Sequence, residues 1–171
     1  MSAPEPTPDE IAALLQVEHL LDQRWPETKI EPSTARISAL MEILGSPQRG
    51  YPCIHVGGTN GKTSVARMID ALLTALHRRT GRTTSPHLQS AVERIAIDGK
   101  PVTPATYVAT YREIEPFVQL VDQQSEEAGG PPMSKFEVVT AMAFAAFADA
   151  PVDVAVVEVG LGGRWDATNV V

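Results

Sequence analysis

Apolar residues along the chain fall into two patterns, helical spacing in some stretches and short unbroken runs in others. Ile11, Leu14, Leu15, Val17, Leu20 and Leu21 mark one face of a helix over 11–21, preceded by Pro8-Asp9. Ile37, Leu40, Met41 and Leu44 mark a second helix over 34–44, stopped by Gly45-Ser46-Pro47. Between them, "RWPETKIEPST" holds two prolines and reads as a loop. Tyr51 to Val56 reads as a short buried strand that ends at Gly57. Val65, Met68, Ile69, Leu72, Leu73 and Leu76 then return to helical spacing, with Arg78 and Arg79 near the end and Gly81 beyond.

After an irregular "TTSPHLQS" loop, "VERIAIDGKPVT" alternates around Asp98-Gly99 and predicts a β-hairpin. Pro104 to Glu127 is helical in composition, with Pro116 a point of kinking or splitting. "GGPPM" breaks the chain, and Phe136 to Phe147 follows as an Ala-rich apolar helix. "VDVAVVEV" is near-continuously apolar, as expected for a parallel strand covered on both faces. Residues 1–10, proline-rich and acidic, read as a disordered lead. The pattern is that of an α/β domain. "GLGGRWDATNVV" ends on an apolar pair without a cap, so residues 11–171 are expected to be the N-terminal part of a longer domain.

Composition narrows the class. The 171 residues suffice for one core, and a net charge of −7 argues against general binding to nucleic acid or anionic membranes. Cys53 is the only cysteine, so an internal disulfide is impossible, and a cysteine zinc site is not expected. No segment approaches the roughly 20 apolar residues of a membrane helix. The lead lacks the basic start and apolar centre of a secretory signal, so a cytoplasmic protein is expected.

The chemistry concentrates in His55-Val-Gly-Gly-Thr-Asn-Gly-Lys-Thr-Ser64, which sits between a strand and a helix. Unpaired N–H groups and the helix dipole favour an anion at a helix N-terminus. Gly58 and Gly61 let the backbone approach phosphate closely, Lys62 supplies a point charge, and Thr63 a hydroxyl that can face Mg²⁺. The common form G-x-x-x-x-G-K-[ST] would need glycine at position 56, where this chain has Val56. The match is to a shorter G-T-N-G-K-T-S variant, a P-loop-type nucleotide site. Glu158, ending a buried strand opposite that loop, is placed to reach Mg²⁺ directly or through water. On residues alone, "TTSPHL" reads equally as a turn, and the helix after "SKFE" as plain core.

Gly58 to Ser64, Ser85-Pro-His-Leu88, the Phe136, Glu137 and Thr140 helix, and "EVGLGGRWDATN" from Glu158 to Asn169 together resemble the folylpolyglutamate synthase family, within the wider Mur-type ATP-dependent ligases. The likeness runs in order from about Glu18 to Val171. It implies a Mur-ligase central-domain-like, parallel-sheet nucleotide-binding domain, incomplete here, with a C-terminal glutamate-ligase domain absent from this chain. It also implies the reaction: ATP phosphorylates the γ-carboxylate of a folate, and the amine of L-glutamate displaces phosphate from the acyl phosphate. By the same resemblance, Thr59, Asn60, Gly61, Lys62, Thr63 and Ser64 cradle ATP, with Lys62 catalytic, and Ser85 and Glu158 ligate Mg²⁺. A further metal histidine, a modified lysine and much of the adenine pocket are expected past Val171. Gln23, Arg24, Trp25, Pro26, Ser134 and Trp165 are the residues it suggests for the folate or pterin. Lys135 and Trp165 stand where an aromatic residue and a leucine are usual, and His87 is read as structural.

The rivals are a bifunctional enzyme that also joins glutamate to dihydropteroate, a muramyl ligase, a small-molecule kinase and a non-catalytic nucleotide-binding module. "SPHL" and "GLGGRWDATN" fit a muramyl ligase poorly. A kinase would be expected to end its second strand in Asp and to carry an Arg-rich lid. The fragment alone is expected to be inactive, and the full-length protein a monomer without nucleic-acid or membrane partners.

Overall fold

A computed structural model describes residues 5–25 and 33–171. Its helices are α1 (Pro8–Asp22), α2 (Ala35–Ile43), α3 (Lys62–Ala75), α4 (Pro104–Glu127) and α5 (Lys135–Asp149). Its strands are β1 (Cys53–Val56), β2 (Thr80–Thr83), β3 (Ile95–Ile97), β4 (Lys100–Pro101) and β5 (Val154–Glu158). They form one sheet in the order β1-β5-β2-β3-β4. The first three strands of that order are parallel, and the β3–β4 hairpin adds antiparallel to β2.

Strand alternation sorts β5 between two layers. Ala155 and Val157 join the large core beneath α5, with Phe144, Phe147, Tyr107 and Leu21. Val156 meets Val56 and Ala66 of α3 on the opposite face, with Ile69 and Leu73 against them. Burial on both faces explains the unbroken apolar run of β5. Helices α1, α2 and α4 pack outside α5, so the fold is helix, sheet and helices in layers. On the α3 face, Asp70 pairs with the buried Arg82 of β2 at 2.7 Å and accepts from the hydroxyl of Thr80. No helix among the described residues is long and apolar enough to cross a membrane.

Several expectations change. The first helix begins at Pro8, because the Thr7 hydroxyl and Glu10 close a capping box there. Residues 8–10 therefore belong to helix, and residues 1–4 lie outside the described residues. Most of the "RWPETKIEPST" loop, residues 26–32, does too. Helix α4 runs through Pro116 without a break. The expected buried strand at 51–56 is a short strand at the sheet edge among the described residues, with Ile54 37% exposed. Of the six apolar positions marked from Val65 to Leu76, only Ile69 and Leu73 pack toward the sheet. Val65, Met68, Leu72 and Leu76 form an outer stripe, with Met68 63% and Leu72 66% exposed.

Strand β2 has no apolar signature, yet Thr80, Gly81, Arg82 and Thr83 are all buried. Gly81 is there because the Phe147 ring lies on its backbone, and a Cβ would come within 2.6 Å of that ring. Gly81→Ala is expected to destabilise the fold by about 1–3 kcal/mol in urea unfolding, as overpacking does. Adding Phe147→Leu, which shrinks the facing ring, should recover part of that loss.

Candidate functional site

The three parallel strands point their C-terminal ends at one rim, where ligands bind in open α/β sheets. The first group on that rim is the turn between β1 and α3. Gly58 has φ +142° and Gly61 φ +74°, conformations that L side chains rarely adopt. A Cβ on Gly61 would meet nothing within 4 Å, so backbone geometry rather than crowding within the chain calls for glycine there. Gly61 is also the N-cap of α3, and no side chain caps that helix. By contrast, Thr7, Thr103 and Ser134 cap α1, α4 and α5 with their hydroxyls. The first-turn N–H groups of α3 are thus left open behind the exposed Thr59, Asn60 and Gly61. The Lys62 ammonium donates to the carbonyl of Gly58 at 2.9 Å, folded back over its own turn.

Glu158 ends β5 on the α3 face and is 3% exposed. Its Oε1 accepts from the Thr63 hydroxyl at 2.7 Å, and its Oε2 accepts from the Ser85 backbone N–H at 3.1 Å. One carboxylate therefore gathers the phosphate-loop helix and the loop after β2. Thr63, Ser85 and Glu158, three of the residues assigned to nucleotide and metal, come together there. Ser85 meets Glu158 through its N–H; with its hydroxyl turned in, the set of hard oxygens with a single charge would suit Mg²⁺ when phosphates and waters complete its shell. No cluster of three or more His, Cys, Asp or Glu suited to a metal occurs among the described residues.

The loop after β2 has its own scaffold, which sequence reading missed. Glu93 accepts from the N–H groups of Leu88, Gln89 and Ser90. Those backbone bonds, Leu88 first, hold its carboxyl below the usual carboxylate range. Arg94 Nε donates to His87 Nδ1 at 3.0 Å, which leaves the imidazole proton on Nε2. Burial, then the positive charges of Arg94 and Lys135, push the His87 pKa down. The Ser90-x-x-Glu93 spacing was the available signal, a capping box across the end of the irregular loop and the start of the stretch read as a hairpin, where Ala91–Arg94 is instead a 3-10 turn.

The residues suggested for folate divide. Trp25 and Ser134 form an isolated parallel bridge, which brings the end of α1 to the start of α5. Arg24 is engaged with Asp122 at 2.9 Å and with the Met133 carbonyl at 3.1 Å. Gln23 Nε2 meets His19 Nε2 at 2.8 Å, and the Ser134 hydroxyl accepts from Glu137 N. Trp165, 52% exposed, lies instead on the turn after β5, with the Arg164 guanidinium 5.1 Å from its ring centre. That turn reaches α5 where Gly160 packs against the Phe136 ring. Pro26 lies outside the described residues.

Comparison with known proteins fits this geometry. Over 169 residues, 97% of its length, the chain is 82% identical to the dihydrofolate synthase/folylpolyglutamate synthase of Mycobacterium tuberculosis. The chain is homologous to the folylpolyglutamate synthases. It spans 35% of that protein's length. A solved folylpolyglutamate synthase of the same organism, complexed with ADP, superposes with a TM-score of 0.89 and 80% identity, over 94% of this chain and 35% of that one. A bifunctional folylpolyglutamate synthase/dihydrofolate synthase with Mn, AMPPNP and L-glutamate bound superposes at 0.77 and 30% identity, over 97% of this chain and 37% of that one. No family model matches the chain.

The environment of His87 sets its titration. Its NMR midpoint should lie below the ordinary histidine value of about 6.5. Lys135→Gln should move it upward, because one repelling charge is gone. A lowered folded pKa means that the unfolded chain takes up the proton first. The stabilising contribution of neutral His87 is thus complete above the ordinary value and is lost as pH falls below it.

Proposed function

We propose that this chain is the nucleotide-binding part of an ATP-dependent ligase that adds L-glutamate to the γ-carboxylate of folates. The observation that carries the reading is the Glu158 carboxylate joined to Thr63 and Ser85, beside an uncapped helix N-terminus with Lys62 as its first residue. The complexes of the relatives with ADP, and with Mn, AMPPNP and L-glutamate, support it.

A carboxylate resists attack by an amine until one oxygen becomes part of a good leaving group. Phosphorylation by ATP supplies that group, and the glutamate amine then expels phosphate to form the amide. The protein's work is alignment and charge neutralisation, and no side-chain nucleophile is required. Thr59, Asn60, Gly61 and the first turn of α3, through Ser64, receive the phosphates with backbone N–H groups. Lys62 exchanges the Gly58 carbonyl for a phosphate oxygen. Glu158, Ser85 and Thr63 would hold Mg²⁺, which when bound neutralises phosphate charge. Trp165 presents a ring at the rim for the pterin, with Gln23, Trp25 and Ser134 farther along it. Arg24, spent on Asp122 and Met133, orders that rim rather than reaching for substrate.

The double name of the 82% identical relative favours a bifunctional enzyme that also joins glutamate to dihydropteroate. In the same proposal, the outer edge of β1 and the apolar stripe of α3 are covered by the further chain that such relatives possess, which includes a C-terminal ligase domain. The 171-residue piece alone then binds nucleotide without turnover.

The test follows ADP release by the full-length protein with ATP, Mg²⁺ and glutamate, comparing folate, dihydropteroate and no acceptor. Release should require both glutamate and a pterin acceptor. Lys62→Ala should lower it by at least about a hundredfold, as loss of a transition-state charge contact does. ADP released without glutamate, or indifferent to every pterin, would overturn the substrate assignment.

A further inference from the structure

The turn after Glu158 is closed at its neck by one buried carboxylate that the reaction scheme above does not use. Asp166 is 5% exposed. Its Oδ2 accepts from Leu161 N at 2.8 Å, at the start of the turn. Its Oδ1 accepts from Thr168 N at 2.9 Å and from the Thr168 hydroxyl, at the end of the turn. Asn169 Nδ2 adds a bond to the Gly163 carbonyl at 2.6 Å. No basic side chain forms an ion pair with this carboxylate among the described residues, so three N–H and O–H donors satisfy it.

The brace continues into the sheet. His55 Nε2 and Thr168 Oγ1 are 2.7 Å apart. The single Thr168 hydroxyl proton goes to Asp166, so His55 Nε2 must carry its own proton and donate to the threonine oxygen. His55 lies on β1, just ahead of the phosphate loop, and Val159 N donates to the Val56 carbonyl at 2.9 Å. Both ends of the turn are thereby referred to the strand that launches the phosphate loop. The turn itself has open space at Gly162 and Gly163, so its internal packing does not fix its shape. Its exposed tip carries Arg164 stacked on Trp165.

We propose that Asp166, through Thr168 and His55, is a positioning residue that holds the 160–165 turn and its Trp165 at a set distance from the phosphate loop for the acceptor half of the ligation. The proposal rests on the ligase reading and deepens it. Asp166 touches no substrate in this scheme. In Asp166→Asn the shape is kept, but one oxygen becomes an NH₂ group that faces a donor, so one end of the turn is released. Thr168→Val removes the link to both Asp166 and His55, whereas Thr168→Ser keeps it.

The experiment uses the full-length protein and three readouts. These are KM and kcat for a folate acceptor, affinity for a fluorescent ATP analogue, and the rate at which trypsin cuts the Arg164–Trp165 bond, followed by mass spectrometry. Asp166→Asn and Thr168→Val should raise the acceptor KM about tenfold or more while nucleotide affinity stays within about twofold, a split expected of a misplaced acceptor contact. Trypsin should cut at Arg164 several-fold faster in both variants, and Thr168→Ser should behave like the wild type. An unchanged acceptor KM, or nucleotide affinity weakened in parallel with it, overturns the proposal. If the wild-type protein turns over no pterin, the ligase reading fails instead. Proteolysis at Arg164 then decides whether the brace exists: no acceleration in either variant overturns it as well.

Discussion

The Glu158 carboxylate sits where three separately encoded segments must meet. Its two oxygens are taken by the Thr63 hydroxyl and the Ser85 N–H, and its own backbone ends the central strand. A buried carboxylate is tolerated only when hydrogen bonds replace the water it has lost. The requirement works in both directions. The helix after the phosphate loop and the loop after β2 are held at the rim because Glu158 needs their donors. Glu158 and the hydroxyls of Thr63 and Ser85 are also the oxygens proposed above for a magnesium ion.

Around that point the rim is built from loops whose order comes from local carboxylates rather than from sheet pairing. Glu93 collects three backbone N–H groups of the loop after β2, and Asp166 does the equivalent for the turn after β5. Loops positioned by a rigid scaffold are where binding residues commonly sit. Here the scaffold itself reaches into the loops through acidic side chains. Chemical groups can therefore project from glycine-rich backbone without that backbone being loose.

What the sequence made legible follows from how strongly each feature is encoded locally. The turn between β1 and α3 could be read because a glycine-dense stretch between an apolar run and a helical pattern breaks both. Strand β5 could be read because burial on both faces leaves an unbroken apolar run. Strand β2 could not, since "TGRT" owes its place to partners on other elements: Asp70 for Arg82, Phe147 for Gly81, and two flanking strands. The outward face of α3 was not told apart from the inward one for a related reason, as apolar periodicity reports a face to be covered but not what covers it. At the site, the place of Glu158 at the end of a buried strand, across from the turn before α3, was legible. The engagement of Arg24 with Asp122 was not, because the two residues lie 98 positions apart.

The place of β5 in the sheet has a consequence for how the molecule comes into being. It lies between β1 and β2, which do not pair with each other, yet it follows both in the chain. During synthesis the phosphate loop leaves the ribosome with no sheet to stand on, and it waits while the hairpin and two long helices are made. Pairings between such distant residues close slowly, because the intervening chain must first lose its freedom. When β5 inserts, it completes the parallel core and delivers Glu158 to Thr63 in the same movement. A nascent chain stalled before that insertion would lack both a finished sheet and a working nucleotide rim.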